Sequence, residues 1–125
     1  MTNTRVFVRD DDLGRLTDPL RRILDFHLER HVPVNYQVVP TFIDDESIAY
    51  VSTLVRDQPD LIRLHQHGFA HGHDTPDGDH VAELSGRPSH DQQYELISHG
   101  RRLLDEAFGS LHAGTVFTPP QHKYN

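Results

Sequence analysis

The chain has 125 residues, 12 Lys and Arg against 19 Asp and Glu, a formal net charge of −7 and no cysteine. That length suits one domain with one modest core, and the missing cysteine excludes disulfides, thiolate nucleophiles and cysteine-based zinc sites. A nucleic-acid partner is not expected, because phosphates need a basic surface and the only lysine is Lys123. Mean hydropathy is −0.61, and no apolar run approaches the ~20 residues of a membrane span, so no membrane partner is expected. The start, MTNTRVFVRD, lacks the apolar stretch of a secretory signal, so the expected location is cytoplasmic. Eleven dispersed histidines are the anomaly, and they point to a metal held by His and carboxylate ligands.

In chain order, Arg5 to Arg9 reads as a strand of β-branched and aromatic residues, leading into Asp10, Asp11 and Asp12. Thr17-Asp18-Pro19 opens a helix, with Thr17 or Asp18 as cap and the proline in the first turn, where its missing N–H costs nothing. Leu20, Ile23, Leu24, His27 and Leu28 give that helix a buried face. Pro33 ends it, and Val34 to Val39 is a second strand stopped by Pro40. Asp44-Asp45-Glu46 marks the next helix N-terminus, with Ile48, Val51, Leu54 and Val55 inward. Gln58-Pro59-Asp60 is a turn, and Leu61 to His65 a third strand. A long loop runs from about Gly68 to Pro88. Ser89 and Gln92 form a capping box for a helix carrying Leu96, Ile97, Leu103, Leu104, Ala107 and Phe108, closed by Gly109. Thr115 to Thr118 is a fourth strand, stopped by Pro119-Pro120.

This order, βαβαβ, loop, αβ, predicts an α/β fold of parallel βα repeats with about four strands, as a single domain over residues 1–125. In such sheets the site lies beyond the carboxyl ends of the strands. The unusual residues fall there: Asp10 to Asp12, the stretch HQHGFAH at 65–71, and Thr118-Pro119-Pro120. Three adjacent carboxylates repel unless a cation or proton sits among them. His67 and His71 share a side if the segment turns helically. His65 and His67 share a face if it is extended. Gly68 permits a sharp turn. Two histidines and one aspartate suit a borderline divalent ion with positions left for water and substrate. A second aspartate then takes a proton from water acidified by the cation, and the third, or Arg9, orients its neighbours.

RDDDLG, then HGFAH, then FTPP, resembles the polysaccharide deacetylase superfamily, the nodulation-type and chitin-deacetylase-like carbohydrate esterases. The resemblance covers nearly the whole chain in the right order. It implies that Asp11 is the catalytic base and that Asp12, His67 and His71 are metal ligands, with Asp10-Asp11 as the alternative register of the pair. It implies one divalent metal, Zn first, with Co, Mn or Ni accepted, and an acetylated carbohydrate or related small substrate deacetylated by metal-activated water. Arg9, Asp10, His65, Thr118, Pro119 and Pro120 fall in the surrounding groove. FTPP lacks the family's usual arginine in that motif. The family fold is a distorted (β/α) barrel of roughly twice this length. This chain matches its first half, and the late aspartate–arginine pair and histidine general acid are not mapped onto it; the chain is then a fragment, a natural short homologue, or is completed by a second copy in a homo-oligomer.

Blander readings stand beside these. The aspartates alone read equally well as a solvated cap, and His67 and His71 as surface histidines. His73, His80 and His90 are expected in solvent, and His27, His31, His99 and His112 at the surface. Glu83 and Arg87 either order the loop or touch substrate, or form a solvated pair, the latter favoured; Tyr36 and Phe42 are expected in the core or at its rim, and Phe69 in packing. Two other functions fit less of the pattern. A phospho-receiver domain needs an acceptor aspartate where this chain has His65-Gln66-His67. A non-catalytic half-barrel would bind metal or glycan without turnover and need a partner chain.

Overall fold

The computed structural model describes residues 3–74, 76–86 and 88–123. Its elements are β1 (Arg9–Leu13), α1 (Asp18–Glu29), β2 (Val34–Val38), α2 (Asp45–Asp57), β3 (Ile62–His67), β4 (His73–Asp74), β5 (His80–Val81), α3 (His90–Phe108) and β6 (His112–Thr118). Strands β1-β2-β3-β6 form one parallel sheet in that order, and β4-β5 a separate antiparallel pair. The helix starts follow the chemistry expected of them. Thr17 caps α1 by accepting from Leu20 N–H. Asp44 and Ser47 form a reciprocal box on α2, as Ser89 and Gln92 do on α3. Gly109, at φ 54°, closes α3. Among the described residues no helix is long and apolar enough to cross a membrane.

The core lies on one face of the sheet. Val34, Tyr36 and Val38 of β2 and Ile62 and Leu64 of β3 alternate toward Leu24 of α1, Val51 and Val55 of α2, and Leu104 and Phe108 of α3. All three helices therefore pack on that face. The opposite face carries Asn35, Gln37, Arg63, His65 and His67, a polar surface no core would tolerate unless its groups were bonded to one another.

Several boundaries differ from the sequence expectation. The first strand is Arg9–Leu13, not Arg5–Arg9: Val6 and Phe7 stand 80% and 69% exposed, and pairing with β2 begins at Arg9 opposite Asn35. The aspartates are thus inside the strand, not past its end. The third strand runs on to His67, because Gln66 and His67 still pair, with Val38 and Thr118 respectively. The last strand begins at His112. The loop from 68 to 88 contains the β4-β5 pair.

His112, expected at the surface, is buried, with Nδ1 3.4 Å from Asp105 Oδ1. Burial pushes its pKa below the usual histidine value, against the opposing pull of Asp105. The unfolded chain takes up this proton near pH ~6.5 and the folded chain only at lower pH. Stability from this group is therefore present above pH ~6.5 and lost as the pH falls toward the depressed value. Denaturant titrations at stepped pH are expected to show this acid loss in wild type and a shallower one in His112→Phe.

Candidate metal centre

The site begins with a bulge. Asp10 pairs with Tyr36 and Leu13 with Val38, so three steps along β1 match two along β2. The extra residue is absorbed where Asp12 takes φ 67°, a left-handed conformation uncommon outside glycine, asparagine and aspartate. Asp10 and Leu13 consequently share the helix-facing side of the strand, and the two residues between them are released from regular pairing. That separation leaves Asp11 and Asp12 in the bulge and places Asp10 on the helix side. The Asp10 carboxyl is raised above the usual range, chiefly by burial, then by its two neighbouring carboxylates, with His27 opposing.

Asp12 Oδ1 lies 3.3 Å from His67 Nε2 and 3.2 Å from His71 Nε2. One ligand atom from each of the three residues lies within 4.8 Å of the others, so this group can hold a metal ion. His67 is rigid. It is 1% exposed at the end of β3, and its Nδ1 lies 2.9 Å from the Thr118 carbonyl of the neighbouring strand. A carbonyl only accepts, so Nδ1 carries the hydrogen, and Nε2 is the nitrogen that faces Asp12. Thr118 is itself held, donating from Oγ1 to Gln37 Oε1 at 2.6 Å, and Gln37 Nε2 lies 3.3 Å from His65 Nδ1. His65 thus joins the bonded polar face and lies outside the trio of clustered ligand atoms. Burial, and then the charges of His112 and Arg63, lower its pKa.

His71 arrives by a different route from the helical turn expected. The chain from 68 to 72 contains no helix. Gly68, His71 and Gly72 have φ of 62°, 60° and 91°, and these left-handed residues swing His71 back over His67, with ring centroids 5.3 Å apart. The turn is clamped by Glu83, whose carboxylate accepts from Phe69 N–H at 2.7 Å and Ala70 N–H at 2.8 Å. The Phe69 carbonyl accepts from Thr41 N–H, and the Phe69 ring lies 4.9 Å from that of His99, in packing as expected. His80 Nε2 sits 3.0 Å from the His71 carbonyl, so His80 bonds the turn and does not simply face solvent. Glu83 is buried, correcting its reading as half of a solvated pair; Arg87 lies outside the described residues. Glu83→Ala is expected to remove two charge-assisted bonds and to lower stability by about 2–4 kcal/mol in a urea melt.

Arg9 grips Asp11 with two nitrogens: Nε to Oδ1 at 2.7 Å and Nη2 to Oδ2 at 2.8 Å. The same Nη2 lies 3.3 Å from His122 Nε2, which must accept because a guanidinium only donates. Arg9 thus fixes the Asp11 carboxylate through both of its oxygens. Pro120 is buried against Gly68, where an added Cβ would come within 2.4 Å of its ring. Pro119 is extended and leads into the short turn Pro120–His122.

Sequence reasoning missed Gln37 and, for Glu83, favoured the solvated reading over the loop-ordering one; the signal for Glu83 is its place among Val81, Ala82 and Leu84 in an otherwise polar loop. Comparison with protein-family models, with curated proteins and with solved structures finds no match for this chain.

Proposed function

We propose that the chain is a metal-dependent hydrolase of the polysaccharide deacetylase type, acting on N-acetylated sugars, with Zn²⁺ as the first-choice ion at Asp12, His67 and His71. One observation carries the metal. His67, with its hydrogen on Nδ1, turns Nε2 toward a carboxylate oxygen 3.3 Å away. His71 Nε2 lies 3.2 Å from the same oxygen, so two imidazole nitrogens converge on one carboxylate oxygen, which a shared cation joins as a common ligand set. The two Asp12 distances suit a small divalent ion. With Zn–N and Zn–O bonds of about 2.0–2.1 Å, ligand atoms at tetrahedral corners lie about 3.4 Å apart, close to the observed 3.2 and 3.3 Å.

A divalent ion held there supplies Lewis-acid chemistry toward an acetamide carbonyl and acidifies water. The chain's own residues do the rest. Asp11, fixed through both oxygens by Arg9, takes the proton from the attacking water. Thr118 holds His67 in the ligating tautomer, and Glu83 holds the turn that presents His71. With Zn²⁺ bound, acetate release from an N-acetylglucosamine oligomer is expected, and Asp11→Asn is expected to slow it about 10²–10⁴-fold at unchanged zinc content. Equal rates in the two proteins remove Asp11 from the reaction.

A second reading is favoured by the sheet. Its helices pack on one face only, and β1 and β6 stand at its edges, as in the first half of a (β/α) barrel. On that reading the chain is a metal- and glycan-binding half-barrel completed by a partner, which can be a second copy. Bound zinc and bound oligosaccharide without acetate release, with a dimeric mass by light scattering, would select it.

A further inference from the structure

Behind the sheet, the aspartate left out of the metal site meets two polar groups that nothing above uses. Tyr36 is 1% exposed, and its hydroxyl is buried without a hydrogen-bond partner. His27 Nδ1 is in the same condition, and the two rings stand edge to face at 6.5 Å between centroids. Asp10 is the strand neighbour of Tyr36 in register and lies on the same face of the sheet. Its carboxylate is close enough to act electrostatically on both, raising the Tyr36 hydroxyl after burial and itself drawn down by His27.

Orphaned polar atoms in a core cost about 1–3 kcal/mol each, and native proteins satisfy nearly all of them. A phenol can donate or accept, an imidazole nitrogen can do either, and a carboxylate accepts. One water, with two hydrogens and two lone pairs, matches all three, and buried waters typically make about three such bonds.

We infer that Asp10, His27 and Tyr36 enclose a bound water behind the β1 bulge, and that through it His27 and Tyr36 position the metal ligand Asp12. The bulge lies between Asp10, on the helix side of the sheet, and Leu13, held in the core. A slip of one residue would exchange aspartates between the two faces of the sheet. Polar partners for Asp10 on the helix side make the observed register the one that leaves no carboxylate stranded in the core, and so fix where Asp12 emerges. The second half of this inference rests on the metal reading; the first half does not.

The test compares wild type with Tyr36→Phe, which keeps the ring, and with His27→Gln, which tests the second corner. Water-oxygen relaxation dispersion counts long-lived buried waters in the metal-free protein, and Co²⁺ titration reads affinity and the visible d–d spectrum. Loss of one long-lived water in both variants is expected, with Co²⁺ affinity about tenfold weaker and shifted d–d bands, as when a ligand's supporting partner is removed. An unchanged dispersion amplitude overturns the water site. A lost water with identical Co²⁺ affinity and spectrum overturns the positioning role. Wild type that takes up no Co²⁺ overturns that role and the metal reading together, while the dispersion still decides the water.

Discussion

Elemental analysis of the purified wild-type chain, after incubation with Zn²⁺, is expected to return about one ion per chain, and His67→Ala is expected to return none. The imidazole of His67 is the ligand held most firmly, buried on β3 and tied to the Thr118 carbonyl. Its removal takes a third of the donor set. It also leaves that carbonyl without its partner, at a cost of about 1–3 kcal/mol, so the variant needs a melt beside the metal assay. Asp12→Asn is the cleaner companion. It keeps the volume and the left-handed backbone, which asparagine tolerates, and removes only the charge. Zinc affinity in it is expected to fall by more than the about 10–100-fold that follows loss of a ligand's supporting partner. Wild type that binds neither Zn²⁺, Co²⁺ nor Mn²⁺ would mean that a proton, not a metal, joins His67 to Asp12, and the hydrolase reading would fall with it.

The elements were legible because local chemistry marks them. Thr17, Asp44 and Ser89 cap as their side chains allow, and Gly109 closes α3. The ligand trio was legible too, since aspartates after an apolar run and two histidines flanking a glycine are local patterns. What stayed hidden depends on pairing between strands. Nothing local says that β1 starts at Arg9, because Val6 and Phe7 have the stronger strand propensity and lie outside it. The bulge is a mismatch between β1 and β2 and exists in neither strand alone. It decides that Asp10 turns to the helices, away from its neighbours. The route of His71 was misread for a related reason. A spacing of four suggests a helical turn, but left-handed residues at Gly68 and His71, fixed by the distant Glu83, bring the two rings together instead. His112 was placed at the surface because its burial comes from the packing of β6 against α3.

Gly68→Ala is expected to be strongly destabilising. The backbone there has φ 62°, which costs a residue with a Cβ about 1 kcal/mol or more. The added carbon would also lie 1.7 Å from Glu83 Oε1 and 2.4 Å from Pro120 Cγ. The Glu83 side chain can retreat, but only by releasing the amides of Phe69 and Ala70, which form the turn to His71. Pro120, buried and ring-closed, has less room to move. Strain, overpacking and the broken clamp together amount to about 3–5 kcal/mol, a large share of the about 5–15 kcal/mol that holds a domain folded. Gly78→Ala separates the backbone term from the rest: its φ is 86°, and an added Cβ meets nothing within 4 Å. Denaturant melts should show about 1 kcal/mol for Gly78→Ala and several times that for Gly68→Ala. Zinc affinity should fall only in the latter, because only there does relief of the clash move a ligand. Equal losses in the two variants would show that the turn at Gly68 tolerates a side chain and that Glu83 does not set the position of His71.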